Sequence, residues 1–458
     1  MSNLLHARLK NIIGLAVLLP LLGLPCPTTS APNAIPHYEF AVRLNYSQHR
    51  LEAIQHVLVP NTFGVSVSDI VFNVPASHQP GVFTLHSVKV DDVSVDYQLR
   101  NTILRVQLPR PLSPAESIRL DLDFNVRVPE LINPQSFAEA NLAYTDDALL
   151  VGYWYPLLAP YRSGVGWLET PWYPIGDPFV SESADYTAII TATPGVTIVS
   201  GGELIRQRNV WRYHLPHART FGFIASPFYR TLSLTSGEKT YAVSVLPRHA
   251  ALAPIALQTL IKAERLFTGL YGTYPYRSLR VAEFSGPWSL EFAGFFVLGA
   301  NEFDDYDGTQ RNRLIRIMAH ETSHQWWYGV AGNDQVREPW LDEGLARFNE
   351  VRYYEAFAPR DVAWWWQTVI GTPRPSDPLD SPSAAFTNHG DYLDSIYDQG
   401  ARYLDTLRTQ LGPETFNAFL RDLYRRSTFQ LFTTEDFFEV LSAHTRLSQR
   451  TLKGRFFR

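Results

Sequence analysis

Cysteine is nearly absent from this chain. One residue, Cys26, in 458 excludes an intrachain disulfide framework, so the fold must be held by its apolar core. A basic excess is missing too. Lys and Arg number 40 against 45 Asp and Glu, a net charge of −5, which leaves no electrostatic footprint for nucleic acid. The apolar run from Ile12 to Leu24 is thirteen residues long, short of the roughly 20 that a membrane span needs. Internal repeats are lacking, which excludes a solenoid. What is present is apolar and aromatic: hydrophobic residues make up 45% of the chain, and Phe, Trp and Tyr alone make up 13% of it. That content supplies sizeable cores, excludes disorder, and at this length suits two to three domains.

The first residues read as an export signal. Arg8 and Lys10 precede the apolar run, and small and polar residues follow it through Ser30 and Ala31, the layout of a signal peptide or an uncleaved signal anchor over residues 1–31. The expectation is an exported protein that is secreted, periplasmic or held at a membrane by this segment. Leu24-Pro25 before Cys26 fits a lipoprotein processing site poorly, and cleavage beyond Cys26 would leave no thiol. Asn45-Tyr46-Ser47 matches a glycosylation acceptor, relevant to a eukaryotic secretory route.

Residues 32–36 close a Pro/Thr/Ser-rich linker, and strict alternation follows. Tyr38, Phe40, Val42, Leu44 and Tyr46 share one face, as do Ile118, Leu120, Leu122, Phe124, Val126 and Val128, the mark of half-buried strands. Similar runs at Asp185 to Ala192 and Thr240 to Leu246 extend a β-rich domain over residues 37–246. From Ala250 the period changes to that of helices. Ala251 to Tyr271, Arg311 to Tyr328, Leu341 to Ala356, Tyr397 to Leu411, Pro413 to Arg425 and Thr434 to Ala443 are expected to be helical, with one strand at Leu279 to Phe284. They make a second domain over residues 247–445, with Pro373 to Pro382 as a loop near its cleft and residues 446–458 as a short basic tail. Trp364-Trp365-Trp366 reads as core packing.

The chemistry is concentrated in His320-Glu321-Thr322-Ser323-His324 and in Glu343 of Trp340-Leu341-Asp342-Glu343-Gly344. On a helix, His320 and His324 lie about 40° apart around the axis and about 6 Å apart along it, so two imidazoles can meet one ion. Glu321 falls roughly 60° to 100° round from both, beside the ion and placed to take a proton from its water. A second helical pattern starting near Pro339 puts Glu343 in its first turn or so, facing the first helix. His320, His324 and Glu343 then form the three-ligand set of a catalytic zinc, with a fourth position open to water. The bland alternative, surface histidines on an ordinary helix, explains neither Glu321 nor Glu343.

Three stretches resemble a known family. His320-Glu-Thr-Ser-His-Gln-Trp326, the eighteen residues between His324 and Glu343, and Trp-Leu-Asp-Glu-Gly-Leu-Ala346 are similar to the aminopeptidase N-like zinc metallopeptidases, a gluzincin family. Tyr397-Asp-Gln-Gly-Ala401 looks like that family's Tyr-x-Lys-Gly segment, with Gln399 at the Lys position. Leu290-Glu291-Phe-Ala-Gly294 looks like its Gly-x-Met-Glu-Asn segment, with Trp288 and Ser289 at the Gly and small positions. The resemblance covers most of the chain from about Ala140 to Val440. It implies an α+β fold of two domains, a sandwich-like β-rich domain and a mostly helical thermolysin-like catalytic domain. It implies one Zn2+ per chain held by His320, His324 and Glu343, Glu321 as general base, Tyr397 as oxyanion donor with Tyr392 the alternative, and Glu291 as the group that holds the α-ammonium of a peptide. Full-length relatives carry a further helical domain over the cleft. Without one here, the expectation is an open cleft or closure by another subunit. The expected activity is removal of N-terminal residues from peptides. A thermolysin-type endopeptidase would share the zinc motif without needing Glu291, and a binding protein that kept the fold would have no need of base and tyrosine. Oligomeric state is not set by these residues.

Overall fold

A computed structural model describes residues 34–132, 137–372 and 374–458; the export segment read at residues 1–31 lies outside them. Among the described residues no helix is long and apolar enough to cross a membrane.

Alternation in the first half produces an eight-stranded sheet. His37–Asn45 pairs antiparallel with Arg50–Pro60 and in parallel with Ala184–Ala192, and the sheet extends through Ser117–Arg127 and Phe83–Val90 on one side and Val210–Ala218 on the other. Because side chains alternate between faces, Tyr38, Phe40, Val42 and Leu44 are buried together, and so is the set from Ile118 to Val128. Tyr46, expected on the same face, lies just beyond the strand and is only partly buried against the core. Two four-stranded sheets, around Val67–Asn73 with Ile103–Leu112 and around Leu149–Val151 with Phe223–Ser226, complete this half. Trp154 and Tyr155 pack on Phe40 with ring centres 5.1 and 4.7 Å away, contacts that add about 0.5–1.5 kcal/mol each beyond burial.

The second half is built on a five-stranded sheet in the order Arg230–Ser236, Lys239–Val245, Ser278–Phe284, Phe295–Gly299, Leu290–Phe292. The strand at Thr240 to Leu246, read from sequence into the β-rich region, therefore shares its sheet with the strand that carries Glu291. Lys239–Val245 and Ser278–Phe284 are parallel, which demands a crossover, and the helix Ala253–Leu270 supplies it.

Most helix bounds fall close to the sequence pattern: Trp340–Phe357, Gln399–Leu411, Pro413–Arg426 and Thr434–His444. Two differ in ways that matter. The helix expected over Arg311 to Tyr328 is Arg313–Ser323. It starts where the Asn312 side chain caps Leu314 N–H and stops at His324, where the Gly329 N–H turns back to the His324 carbonyl at 2.8 Å. Trp326 and Trp327 are fully buried beyond that end, so the apolar pattern outruns the helix. Tyr397 does not open the helix Gln399–Leu411. It sits in a π-helical stretch, Leu393–Asp398, that follows the short helix His389–Tyr392. The basic tail is also folded: Phe456 and Phe457 are buried, and Phe457 lies 5.2 Å from Trp340 and 4.9 Å from Tyr403 between ring centres.

Helices Trp340–Phe357 and Gln399–Leu411 cross at two glycines. A Cβ on Gly400 would come within 2.6 Å of the Gly344 Cα, and one on Gly344 within 3.2 Å of the Gly400 Cα. Only glycine permits that approach, which holds Glu343 beside the segment carrying Tyr397. Gly400→Ala is expected to destabilise the protein by about 1–3 kcal/mol through overpacking. Gly269→Ala, at an exposed helical site with open space, is expected to be neutral or to stabilise by up to about 1 kcal/mol. Unfolding in denaturant checks the ordering, and equal midpoints for the two variants would refute the close crossing.

Candidate active site

The two histidines converge as helix arithmetic requires, with Nε2 atoms 3.2 Å apart. Glu343 Oε2 lies 3.2 Å from His320 Nε2 and 3.4 Å from His324 Nε2. Zinc with bonds of about 2.0–2.1 Å in tetrahedral geometry sets its ligand atoms about 3.3 Å apart. The three donors fit that ion, and two imidazoles with one carboxylate are a donor set that suits it. All three line a cavity of about 290 Å³, which leaves room for a fourth, non-protein ligand. Glu343 gains further from its place in the first turn of its helix, where the dipole favours a carboxylate.

The far nitrogens of both histidines are held. His320 Nδ1 is 3.0 Å from Glu350 Oε1, and His324 Nδ1 is 3.2 Å from the Trp327 carbonyl. Each contact fixes the ring so that Nε2 faces the site. The Trp327 carbonyl can serve only because the helix has ended. Glu350 is fully buried and also accepts from Arg316 Nη1 at 3.1 Å, Arg347 Nη1 at 3.0 Å and Trp365 Nε1 at 2.9 Å. Burial opposes its ionisation, but Arg316, Arg347 and His320 outweigh it and hold the carboxyl well below the usual range.

Glu321 is buried beside the three donors, and its Oε2 has no hydrogen-bond partner among the described residues. One oxygen each from Glu321 and Glu291 and one His324 nitrogen all lie within 4.8 Å of one another. Burial, opposed by His324 and reinforced by Glu291 and Glu343, pushes the Glu321 carboxyl well above the ordinary range.

Tyr397 lines the cavity, and its ring lies parallel to His320 with centres 5.8 Å apart. The Arg347 guanidinium is 5.3 Å from the same ring centre. Burial and the nearby Glu343 charge keep the hydroxyl protonated far above neutral pH. Tyr392 packs edge-on against Tyr397, and its hydroxyl is turned to the Gly176 turn. Gln399 donates to the Asp377 and Ser395 carbonyls at 3.2 Å each.

Glu291 is on the edge strand Leu290–Phe292, and Oε1 accepts from Gln335 Nε2 at 3.0 Å. The turn after it is clamped to the metal segment. Gln325 Nε2 donates to the Phe292 carbonyl at 3.0 Å, and Gln325 Oε1 accepts from Gly294 N–H at 2.9 Å. Gly294 has φ +78°, and a Cβ there would come within 3.0 Å of the Gly201 Cα. The structure thus brings all six expected residues to one cavity.

Sequence reasoning missed Glu350, Arg347, Gln325, Gln335 and Asp177. Glu350 was within reach: seven residues after Glu343 on the same helix is two turns, hence the same face. Gln325 stands inside the quoted motif. Gln335 and Asp177 lie in loops, where no periodicity marks them.

Comparison with known proteins agrees with this arrangement. Residues 258–453 match the peptidase family M1 domain. Aminopeptidase M1-D of Oryza sativa subsp. japonica is 28% identical over 145 residues, 29% of this chain and 16% of the relative. Endoplasmic reticulum aminopeptidase 2 of Homo sapiens is 22% identical over 237 residues, 48% of this chain and 24% of the relative. The chain spans about a quarter or less of the length of these curated relatives. Among solved structures, an M1 zinc metallopeptidase from Deinococcus radiodurans superposes with TM-score 0.67 at 18% identity, covering 92% of each chain. A variant of that enzyme bound to a Tyr-Ser-Ala substrate gives TM-score 0.62 at 18% identity, again over 92% of each. The fold is therefore the two-domain one, β-rich sheets followed by a mostly helical catalytic region, and the helical region that carries the motifs is the one that matches the peptidase family M1 domain.

Proposed function

We propose that the protein is a zinc-dependent aminopeptidase that hydrolyses N-terminal residues from peptides, with one ion per chain held by His320, His324 and Glu343. The observation that carries this reading is the position of Glu291. Its carboxylate oxygen is within 4.8 Å of those of Glu321 and of a His324 nitrogen, and an amino acid's own nitrogen and carbonyl carbon are about 2.5 Å apart. An ammonium held by Glu291 leaves space for one residue before the reacting carbonyl. A second residue would add about 3.8 Å.

Zinc bound in this site supplies a Lewis acid that polarises the scissile carbonyl and brings the pKa of water near 7. Glu321, with a free Oε2 in the cavity, accepts the proton of the attacking water and delivers it to the leaving amine. Tyr397 donates a hydrogen bond to the oxygen that becomes negative. Glu291, held by Gln335 and by the Gln325 clamp on its turn, binds the α-ammonium. The segment over residues 1–31 exports the enzyme, a reading that the N-terminal sequence of the mature protein tests.

Purified protein should contain about one zinc per chain by elemental analysis, and His324→Ala should contain none. Glu350→Gln, which weakens the hold on His320, should lower zinc affinity about 10- to 100-fold. Zinc content unchanged in both variants would refute the ligand set.

Glu321→Gln should abolish turnover with zinc still bound. Tyr397→Phe should lower kcat more than it raises KM, by up to about 3–4 kcal/mol of transition-state stabilisation. A Tyr397→Phe effect confined to KM would reassign the oxyanion role.

Free peptides should be cleaved far faster than N-acetylated ones, because acetylation leaves Glu291 buried and unpaired. Glu291→Ala should slow free peptides and leave blocked ones nearly unchanged. Cutting of internal bonds in blocked peptides at the same rate would make the protein an endopeptidase of the thermolysin type.

A further inference from the structure

The five-stranded sheet of the second half ends on an unguarded strand. Arg230–Ser236 is its outer strand, on the opposite edge from Leu290–Phe292, which carries Glu291. Residues 230–235 are all exposed, and the strand runs beside Lys239–Val245 in unbroken register. An open edge invites pairing with another chain, and proteins usually blunt it with Lys, Pro, a bulge or short length. Thr231-Leu-Ser-Leu-Thr235 has none of these. By contrast, an outer strand of the eight-stranded sheet, Glu203–Gln207, carries Glu203 and Arg206, and Leu290–Phe292 is short and buried. Phe228, Leu232 and Leu234 are 45%, 37% and 48% exposed, which gathers apolar surface at this edge instead of scattering it.

The free backbone groups of the strand decide what can pair with it. The chain turns into Lys239–Val245 through Gly237-Glu238, with φ +61° at Gly237, a two-residue loop whose flanking pair, Ser236 and Lys239, exchanges hydrogen bonds. Counting back by twos, Leu234, Leu232 and Arg230 bond inward, while Thr231, Ser233 and Thr235 turn N–H and C=O outward. The segment is also a palindrome, since Thr-Leu-Ser-Leu-Thr reads the same in both directions. A second copy brought up antiparallel about a two-fold axis at Ser233 sets Ser233 against Ser233 and Thr231 against Thr235, so every outward N–H meets a C=O. Leu232 then faces Leu234 of the second copy across the closer, non-hydrogen-bonded pairs. Both leucines lie on the side of the helix Ala253–Leu270, because they pair with Val243 and Tyr241, and the Tyr241 hydroxyl donates to Glu264 of that helix at 2.9 Å. At each end of the ladder Arg230, without an ion-pair partner among the described residues, comes beside the second copy's turn. Exposed Glu238 in that turn offsets in part Arg230 and the Arg265 that reaches Ser236 at 3.5 Å. We propose that the protein forms a two-fold dimer through this edge, joining the two five-stranded sheets into one. The strands that carry Glu291 lie at the far edges of the joined sheet, so the second copy closes neither cleft.

Disulfide trapping reads the register. Cys26→Ser in every variant leaves the introduced thiol as the sole one. Ser233 faces its own equivalent with Cα atoms about 5.5 Å apart, within the roughly 4.4–6.8 Å that a disulfide spans. Thr231 and Thr235 each lie four residues, about 14 Å, from their own equivalents. Ser233→Cys is therefore expected to give a covalent dimer under mild oxidation, Thr231→Cys and Thr235→Cys singly to give none, and the two combined to cross-link again. Sedimentation equilibrium of the unmodified chain should show twice the chain mass. Ser233→Pro, which removes only an outward N–H, and Leu234→Lys, which charges the edge, should each raise the dissociation constant at least about 10-fold, with thermal unfolding of the dilute protein showing the fold intact. A chain that stays monomeric at about 100 µM overturns the proposal, as does growth beyond the dimer or a dimer that survives both substitutions, which would place the interface elsewhere. Equal cross-linking at all three positions reports random collision and overturns it too. If Ser233→Pro fails to fold, Leu234→Lys and the cysteine series decide.

Discussion

The site depends on one buried carboxylate. Glu350 joins three elements: it orients His320 and neutralises Arg316 on one helix, neutralises Arg347 on its own, and accepts from Trp365 on a third. Taking such a charge out of water is costly, and removing one member of a buried pair typically costs about 3–5 kcal/mol because the other is left unpaired. Here both arginines and an imidazole share the carboxylate, so its loss would strand two cations at once. Arg347 carries the constraint onward. It forms an ion pair with Asp398 at 3.0 Å and lies over the Tyr397 ring, so the group that orients the first histidine also reaches the tyrosine beside it. His320 and Tyr397 are thus parts of one network, with the Gly344 and Gly400 crossing as the backbone on which it closes.

Much of this was legible because it is local. The convergence of the three side chains needs only helix arithmetic for His320 and His324 and a second helix for Glu343, and the strands of the first half are written in alternation from Tyr38 to Leu44 and from Ile118 to Val128. Trp365 also follows its reading as core, though what it does there, donating to Glu350, could not be seen from three adjacent tryptophans. Glu350 could have been read from its spacing to Glu343, since a metal-facing imidazole needs an acceptor on its other nitrogen.

The rest depends on contacts between distant segments. Nothing in Trp326-Trp327 distinguishes apolar residues that continue a helix from apolar residues that are buried after it ends. The end is set by a turn that closes onto the His324 carbonyl. Residues 389–398 lack a clean 3.6-residue period because part of that segment is π-helical, which shifts the face by a residue and brings Tyr397 to the cavity. Phe456 and Phe457 look like the end of a basic tail, yet they fill space against Trp340 and Tyr403 at the foot of the Glu343 helix. Asp177 was invisible for the same reason, since only tertiary structure brings a turn from the β-rich half beside Glu291.

The spacing between the two histidines and Glu291 is set by two glutamines, Gln335 on the carboxylate and Gln325 on the turn that follows it. Gln325 follows His324 directly, and its amide engages both the Phe292 carbonyl and the Gly294 N–H, gripping the hairpin turn from both ends of its own side chain. A carboxylate on an edge strand would otherwise be free to drift, because Leu290–Phe292 is paired on one side only. With the turn tied to the residue that follows His324, Glu291 and the histidine pair are held to one another. The position of the edge-strand carboxylate is therefore held in part by a glutamine within the motif itself, while among the described residues the arginines that line the cavity are engaged by Glu302, Glu350 and Asp398.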